Sequence, residues 1–314
     1  MTNLATTDSA VCDPPARALS PSQAGDVRIG PILAIPAVLV ARGVDREMAF
    51  VQAGVDLQLF QDPDNRLPLE SVGRLPETCA SLTGCDHFGL LVGERFDLRA
   101  MGPIGELMRH SATVGDALRI LVRYLHLHDR GAAPLLLATD ASSSILGYSV
   151  LRHGVTGTNH IHDAAITIAG KILQALCGPA FSPLQIKFAY GAPRSAAYHR
   201  ALFGCDVVFD ADLSGVVIDA ASLVKPIEGA DAKLRGQLDM AIREAEAGGL
   251  MTFGERLESA LHQLVLSGDG LPKRFCSARS SRSRWRTLAP EQTCNRTAPG
   301  IVCKNRSCGR WRTP

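Results

Sequence analysis

The sequence predicts an α+β fold: N-terminal helices, then a small antiparallel sheet with packed helices, then a disordered basic C-terminal tail. Three observations carry this. Up to about Leu125 the apolar residues recur at spacings of three and four, the pattern of helices buried on one face. From Pro134 onward short apolar runs alternate with polar turns, and short connections between strands favour antiparallel pairing with helices on one face. At Leu271 the composition changes abruptly. Residues 271–314 hold eleven Lys or Arg, one acid and both tryptophans, in a chain whose net charge is only +2.

The elements follow in order. Pro31 to Arg42 is an apolar helix, and Asp45 caps a second one that runs to Ala53 and stops at Gly54. Leu69, Val72, Leu75, Cys79 and Leu82 mark one helix face, ended by Gly84, and a short helix spans 86–95. Ile104, Leu107 and Met108 form a cluster. Thr113, with Asp116 three residues on, opens a helix that buries Leu118, Leu121 and Leu125. Leu135–Ala138 and Ile145–Leu151 read as a hairpin around a polar loop. Asn159–Leu176 is helical and Leu184–Tyr190 is a strand. Ser195–Phe203 is a helix, and Val207–Phe209 and Val216–Ile218 form a last strand pair. Helices at Lys233–Ala247 and Phe253–Leu266 close the body.

Hydrophobic residues make up 46% and charged residues 20%, a globular balance. No window reaches the ~18 consecutive apolar residues of a membrane span. Residues 1–29 read as a disordered leader, without the basic start and apolar stretch of a secretory signal, so the protein is expected in the cytoplasm with no membrane partner. The body cysteines are scattered and read as reduced core residues. There is no Gly-x-Ser-x-Gly elbow, no Gly-x-x-x-x-Gly-Lys phosphate loop and no Gly-x-Gly-x-x-Gly fingerprint. No catalytic residue and no cofactor is therefore assigned, and the chain is not read as an enzyme.

The oddest feature is a repeated tetrad, His126-Leu127-His128-Asp129 and His160-Ile161-His162-Asp163. Alternating histidines in an extended segment share a face and can ligate Zn²⁺. Both tetrads also sit at helix boundaries, where His and Asp satisfy backbone groups. The second reading is preferred, and no metal is assigned.

Several strings together point to a family. They are Asp62-Pro63-Asp64-Asn65-Arg66-Leu67-Pro68-Leu69, Phe88-Gly89-Leu90-Leu91-Val92-Gly93-Glu94-Arg95-Phe96, Gly102-Pro103-Ile104-Gly105 and Leu107-Met108-Arg109. They continue with Thr113-Val114-Gly115-Asp116-Ala117-Leu118, the run from Arg123 to Gly131, and Leu176-Cys177-Gly178-Pro179. Over residues 30–270 the chain resembles the arabinose-binding-like N-terminal domain of AraC/XylS-type transcription regulators. The resemblance implies an effector-binding and dimerisation domain: a small-molecule effector and a homodimer are the partners expected. In such proteins this domain controls a C-terminal domain with two helix-turn-helix motifs.

Within the body, the junction between the long helix and the hairpin offers convergent polar groups among apolar ones: Arg123, Tyr124, His126, His128 and Arg130. These are the candidate ligand-binding residues, against the alternative that they buttress the helix end. Beyond Leu271 the family's helical DNA-reading domain is expected, but residues 271–314 have no helical period. Leu271-Pro272-Lys273-Arg274-Phe275 can be encoded TTG CCG AAG CGG TTT. Dropping two bases yields Ala-Glu-Ala-Val, the kind of string that opens the expected domain. The tail is therefore read as a frameshifted, non-native segment, with sequence-specific DNA binding lost. Arg282, Arg284, Trp285 and Arg286 remain candidates for weak nucleic-acid contact without base choice. The competing reading is a stand-alone ligand-binding or dimerisation module that modulates intact regulators.

Overall fold

A computed structural model describes residues 26–247. The leader up to residue 25, the expected helix at Phe253–Leu266 and the whole basic tail lie outside the described residues. By its internal contacts the chain divides into units of residues 1–270 and 271–314, and everything below belongs to the first.

The N-terminal half is helical, as its 3.6-residue periodicity requires. After strand β1 (Asp26–Arg28) and a 3₁₀ turn (Gly30–Ile32) come α1 (Ile35–Ala41) and α2 (Arg46–Ala53). A second 3₁₀ turn (Leu57–Gln61) leads to β2 (Arg66–Pro68), α3 (Leu69–Thr83) and α4 (Phe88–Glu94). A third 3₁₀ turn (Leu98–Met101) precedes α5 (Gly102–Arg109) and α6 (Val114–Tyr124). Local chemistry fixes the boundaries. Asp45 accepts a hydrogen bond from the Glu47 N–H, and Gly54 ends α2 in the left-handed region. Thr113 accepts from the Asp116 N–H at 3.1 Å and donates to the Asp116 carboxylate at 2.8 Å, closing the start of α6. β1 and β2 pair antiparallel. This pairing is invisible to local periodicity, and it places Val27, Arg28 and the fully buried Ile29 in the body rather than in a leader.

The second half carries the sheet. β3 (Ala132–Ala138) and β4 (Ser143–Val150) form the expected hairpin. Then follow α7 (Thr158–Cys177), β5 (Gln185–Lys187), α8 (Ala196–Phe203), β6 (Asp206–Val208) and β7 (Ser214–Asp219). Helices α9 (Ala220–Val224) and α10 (Ala232–Ala247) end the described chain. The five strands lie in the order β3-β4-β7-β5-β6. Pro134, which has no N–H to donate, sits on the edge strand β3.

One expectation is corrected. The segments around Val207 and Val216 are not paired with each other, because β5 lies between them. Ile186 is opposite both Val207 and Val216, and all three side chains are buried. The connection from β5 to β6 contains α8, long enough to return the chain parallel to β5. Residues 209–213, with Asp210 in the left-handed region, then carry the chain across β5 to β7.

Two hydrophobic cores result. One joins α5, α6 and α7 to the sheet through residues such as Leu118, Leu173 and Val216. The other joins α1, α2, α3 and α4 through Leu39, Phe50, Leu75 and Phe88. Helices α4 and α7 meet closely because α4 carries glycines on that face. A Cβ on Gly89 would strike the carbonyl oxygen of His160, and one on Gly93 would lie 2.5 Å from the Thr167 Cβ.

Candidate functional site

A cavity of about 120 Å³ lies where the two cores meet. Its walls are mainly aliphatic: Ile35 from α1, Leu69 and Val72 from α3, Ile168 and Ile172 from α7, and Leu146 from β4. Its polar side chains are Arg28, His128, Asp129, Tyr148 and His160. An apolar concavity with a few placed polar groups is the usual form of a small-molecule site.

His128 follows a 3₁₀ turn (Leu125–Leu127) that closes α6. Its N–H donates to the Leu125 carbonyl at 2.7 Å, and its own carbonyl accepts from the Arg28 N–H at 2.7 Å. β1 thus straps this turn to the body. The imidazole is only 1% exposed, and neither ring nitrogen has a hydrogen-bond partner. Burial pushes it down to about 3, helped by the Arg28 and Arg66 charges. The Met101 backbone opposes this slightly but lies outside hydrogen-bonding geometry. His128 is therefore neutral near pH 7, with one N–H and one lone pair.

The neighbouring charges are engaged. Arg28 Nε and Nη2 donate to Asp64 Oδ1 at 2.8 and 2.6 Å, and Nη1 donates to the Ala100 carbonyl. Arg66 Nη2 donates to the Leu127 carbonyl at 2.6 Å. Asp129 is buried and accepts from the Gly131 N–H and the Tyr148 hydroxyl, both at 2.7 Å. Burial raises its carboxyl, and those donors pull against the rise. Burial and the Asp129 charge hold the Tyr148 hydroxyl well above the ordinary tyrosine range. His160, in the first turn of α7, has Nε2 3.5 Å from Glu77 Oε2, while its Nδ1 has no hydrogen-bond partner. Burial pushes His160 down as well.

Of the five candidate residues, the structure brings His128 to the cavity. Tyr124 is buried but turns the other way, its hydroxyl donating to Asp239 on α10 at 3.2 Å. His126 Nε2 lies 3.4 Å from Glu246, also on α10. Arg123 is exposed, its guanidinium 4.9 Å from the Tyr124 ring centre, and Arg130 is half-buried outside the lining. The tail candidates Arg282, Arg284, Trp285 and Arg286 lie outside the described residues. Sequence reasoning missed Arg28 and Tyr148. Asp129 and His160 stood in the tetrads and were visible as a motif, although their placement was not.

The second tetrad forms a different cluster. Asp163 accepts from the Tyr190 hydroxyl and lies 3.2 Å from His199 Nε2, with His199 0% and Asp163 2% exposed. His199 Nδ1 is 3.1 Å from the Ser195 carbonyl. Burial opposes the charged imidazole, but Asp163 outweighs it and raises His199. None of these three side chains lines the cavity; they tie α7 to α8 and to the loop after β5. The four tetrad histidines do not converge. Among the described residues no three His, Cys, Asp or Glu side chains gather as metal ligands, and no helix is long and apolar enough to cross a membrane.

Residues 43–227, more than half of the chain, match the family model of the arabinose-binding domain of AraC transcription regulators, an N-terminal domain. The chain belongs to this AraC-type family. It is 24% identical over 206 residues to the HTH-type transcriptional regulator VirS of Mycobacterium tuberculosis, covering 65% of this chain and 61% of VirS. This AraC-type chain thus spans about 61% of the length of that relative. It is 22% identical over 254 residues to the ornithine utilization regulator of Pseudomonas aeruginosa, covering 75% and 74% of the two chains. A crystal structure of the transcriptional regulator CdpR from Pseudomonas aeruginosa covers 74% of this chain and 72% of its own at 15% identity, with a TM-score of 0.46.

Proposed function

We propose that the body of this AraC-type chain senses a small-molecule effector bound in the cavity between the two cores. One observation carries the reading. His128 is buried against an apolar cavity with both ring nitrogens unmet, and buried polar atoms ordinarily find partners. A ligand that supplies them binds the folded state and biases it. The segment Arg123–Arg130 is then the cavity's sensing wall. His128 contacts the effector, while Tyr124 and His126 hold α10. The family name does not fix the ligand.

The same reading makes the protein a non-catalytic, cytoplasmic homodimer. Residues 271–314 are read, from their lack of helical apolar period, as supplying no recognition helix of the kind that enters the major groove. Arg282, Arg284, Trp285 and Arg286 give at most salt-dependent contact with phosphates. The test is a thermal-shift screen of metabolites against the full chain and an Ile168→Trp variant that fills the cavity. A binder raises the melting temperature of the first by mass action and not of the second. Equal shifts in both would remove the cavity as the effector site. Binding to one operator sequence above random DNA at fixed salt would overturn the assignment for the tail.

A further inference from the structure

We infer that the cavity takes a small, uncharged, mainly apolar molecule of about one carbon ring. The inference rests on the cavity being the effector site and adds the size and the charge of its occupant.

Size follows from the volume and the walls. The space measures about 120 Å³ and is bounded by Ile35, Leu69, Val72, Leu146, Ile168 and Ile172. An apolar cavity of about 150 Å³ with a lining of this kind stays dry and binds benzene. A second ring would have to displace packed side chains, and overfilled cores are destabilised.

Charge follows from the polar groups on the wall, whose charges are already committed. Arg28 donates from each of its three guanidinium nitrogens, and the Asp64 carboxylate 2.6 Å away balances its charge. An incoming anion therefore finds no spare cation there, and it also meets the buried Asp129. An incoming cation finds Asp129 already holding the Gly131 N–H and the Tyr148 hydroxyl, with Arg28 in the same lining. Either ion would lose its water without gaining a counter-charge, and a neutral molecule avoids that penalty. Neutral His128 carries its N–H on one side of the ring and its lone pair on the other. A lone substituent on the guest meets one of them, and either a neutral donor or a neutral acceptor serves.

The experiment follows fluorobenzene by ¹⁹F NMR with the full chain at pH 8 and displaces it with three compounds. Cyclopentyl methyl ketone is neutral and has one ring. Cyclopentanecarboxylate has nearly the same shape and a charge, and cyclopentyl phenyl ketone adds a second ring. The ketone and the carboxylate are compared directly, and the two ketones after correction for transfer from water. Fluorobenzene is expected to bind the unsubstituted chain and not Ile168→Trp. The methyl ketone is expected to bind at least about tenfold more tightly than either competitor, the scale of an unpaired buried charge or an overfilled core. That ranking on the unsubstituted chain stands whether or not the variant folds. A carboxylate or phenyl ketone that binds as tightly as the methyl ketone, with binding lost in Ile168→Trp, overturns the inference and leaves the cavity reading intact. Fluorobenzene binding that is equal in the two proteins overturns the cavity reading and the inference with it. Absence of fluorobenzene binding overturns the inference alone, and the metabolite screen then decides the cavity reading.

Discussion

The motif His-x-His-Asp occurs twice, and the two copies differ in what their aspartates meet. At 126–129 it closes α6 in a 3₁₀ turn, and at 160–163 it lies in the first turns of α7. In both, the aspartate is buried and accepts a tyrosine hydroxyl, Tyr148 for Asp129 and Tyr190 for Asp163. The difference lies in the histidines. Asp163 has a buried partner in His199, so its cluster is closed on itself. In the first copy His128 faces a cavity with nothing to bond. The same four letters therefore bring one histidine each, His128 and His160, to the cavity with unmet ring nitrogens, while only the second copy's aspartate gains a buried histidine partner. Extended histidines two apart share a face, whereas helical ones diverge. That geometry is why neither copy presents its imidazoles as a pair.

The sharpest way to break this contrast is Asp163→Ala. It leaves the buried His199 without its carboxylate and the half-buried Tyr190 with only its 3.2 Å contact to His199 Nε2, and is expected to cost about 3–5 kcal/mol, read as a fall in the urea midpoint. A loss under about 1 kcal/mol would mean the second copy is no tie.

The pH dependence comes next, and two buried histidines, His199 and His128, carry opposite signs; His160 and His162 of the second copy are depressed by burial as His128 is. His199 is raised in the folded state. Its contribution is full below the unfolded value near 6.5 and is lost as pH rises through the higher folded value. His128 is depressed to about 3, so folding excludes its proton. Stability then falls as pH drops below about 6.5, by on the order of 1 kcal/mol per pH unit, until the folded value near 3 is passed. Urea midpoints measured from pH 7.5 to pH 4.5 should flatten in His128→Leu. An unchanged slope would show that His128 is not kept neutral.

A smaller effect separates the aspartates. Tyr148→Phe removes one of the donors that hold the Asp129 carboxyl down, so its apparent value should rise in an NMR titration. The expected stability loss is about 1–3 kcal/mol. No change in the Asp129 titration would argue that the hydrogen bond is not formed. The smallest effect is His126→Ala. Its contact with Glu246 on α10 is partly exposed, and a loss below about 1 kcal/mol is expected from thermal unfolding. A loss several times larger would place His126 among the structural ties.

What the sequence disclosed, and what it did not, follows the range of the interactions. Helix α2 was legible because Asp45 and Gly54 bracket it, and α6 because Thr113 and Asp116 close its start. The β3–β4 hairpin was legible because its turn is local. The insertion of β5 between β7 and β6 was not, since it depends on Ile186 meeting residues about 20 and 30 positions away. The cavity was harder still. Arg28 reaches it through β1, whose partner β2 is distant in sequence, and Tyr148 is a strand residue with no local sign that its hydroxyl meets Asp129. Of the five candidate residues, periodicity placed all on one segment. Only the turn after α6 decides that His128 faces inward while Tyr124 and His126 face α10.

The glycine seam between α4 and α7 has a mechanical consequence. At Gly89 the main chain of α4 rests on the His160 carbonyl, so at that point of the wall there is no α4 side chain to swing aside. The facing boundary, β3 and β4, ends in an edge strand. A change in the width of the chamber therefore has to come from the aliphatic side chains elsewhere on its wall, such as Ile35, Leu69 and Ile168, or from that hairpin.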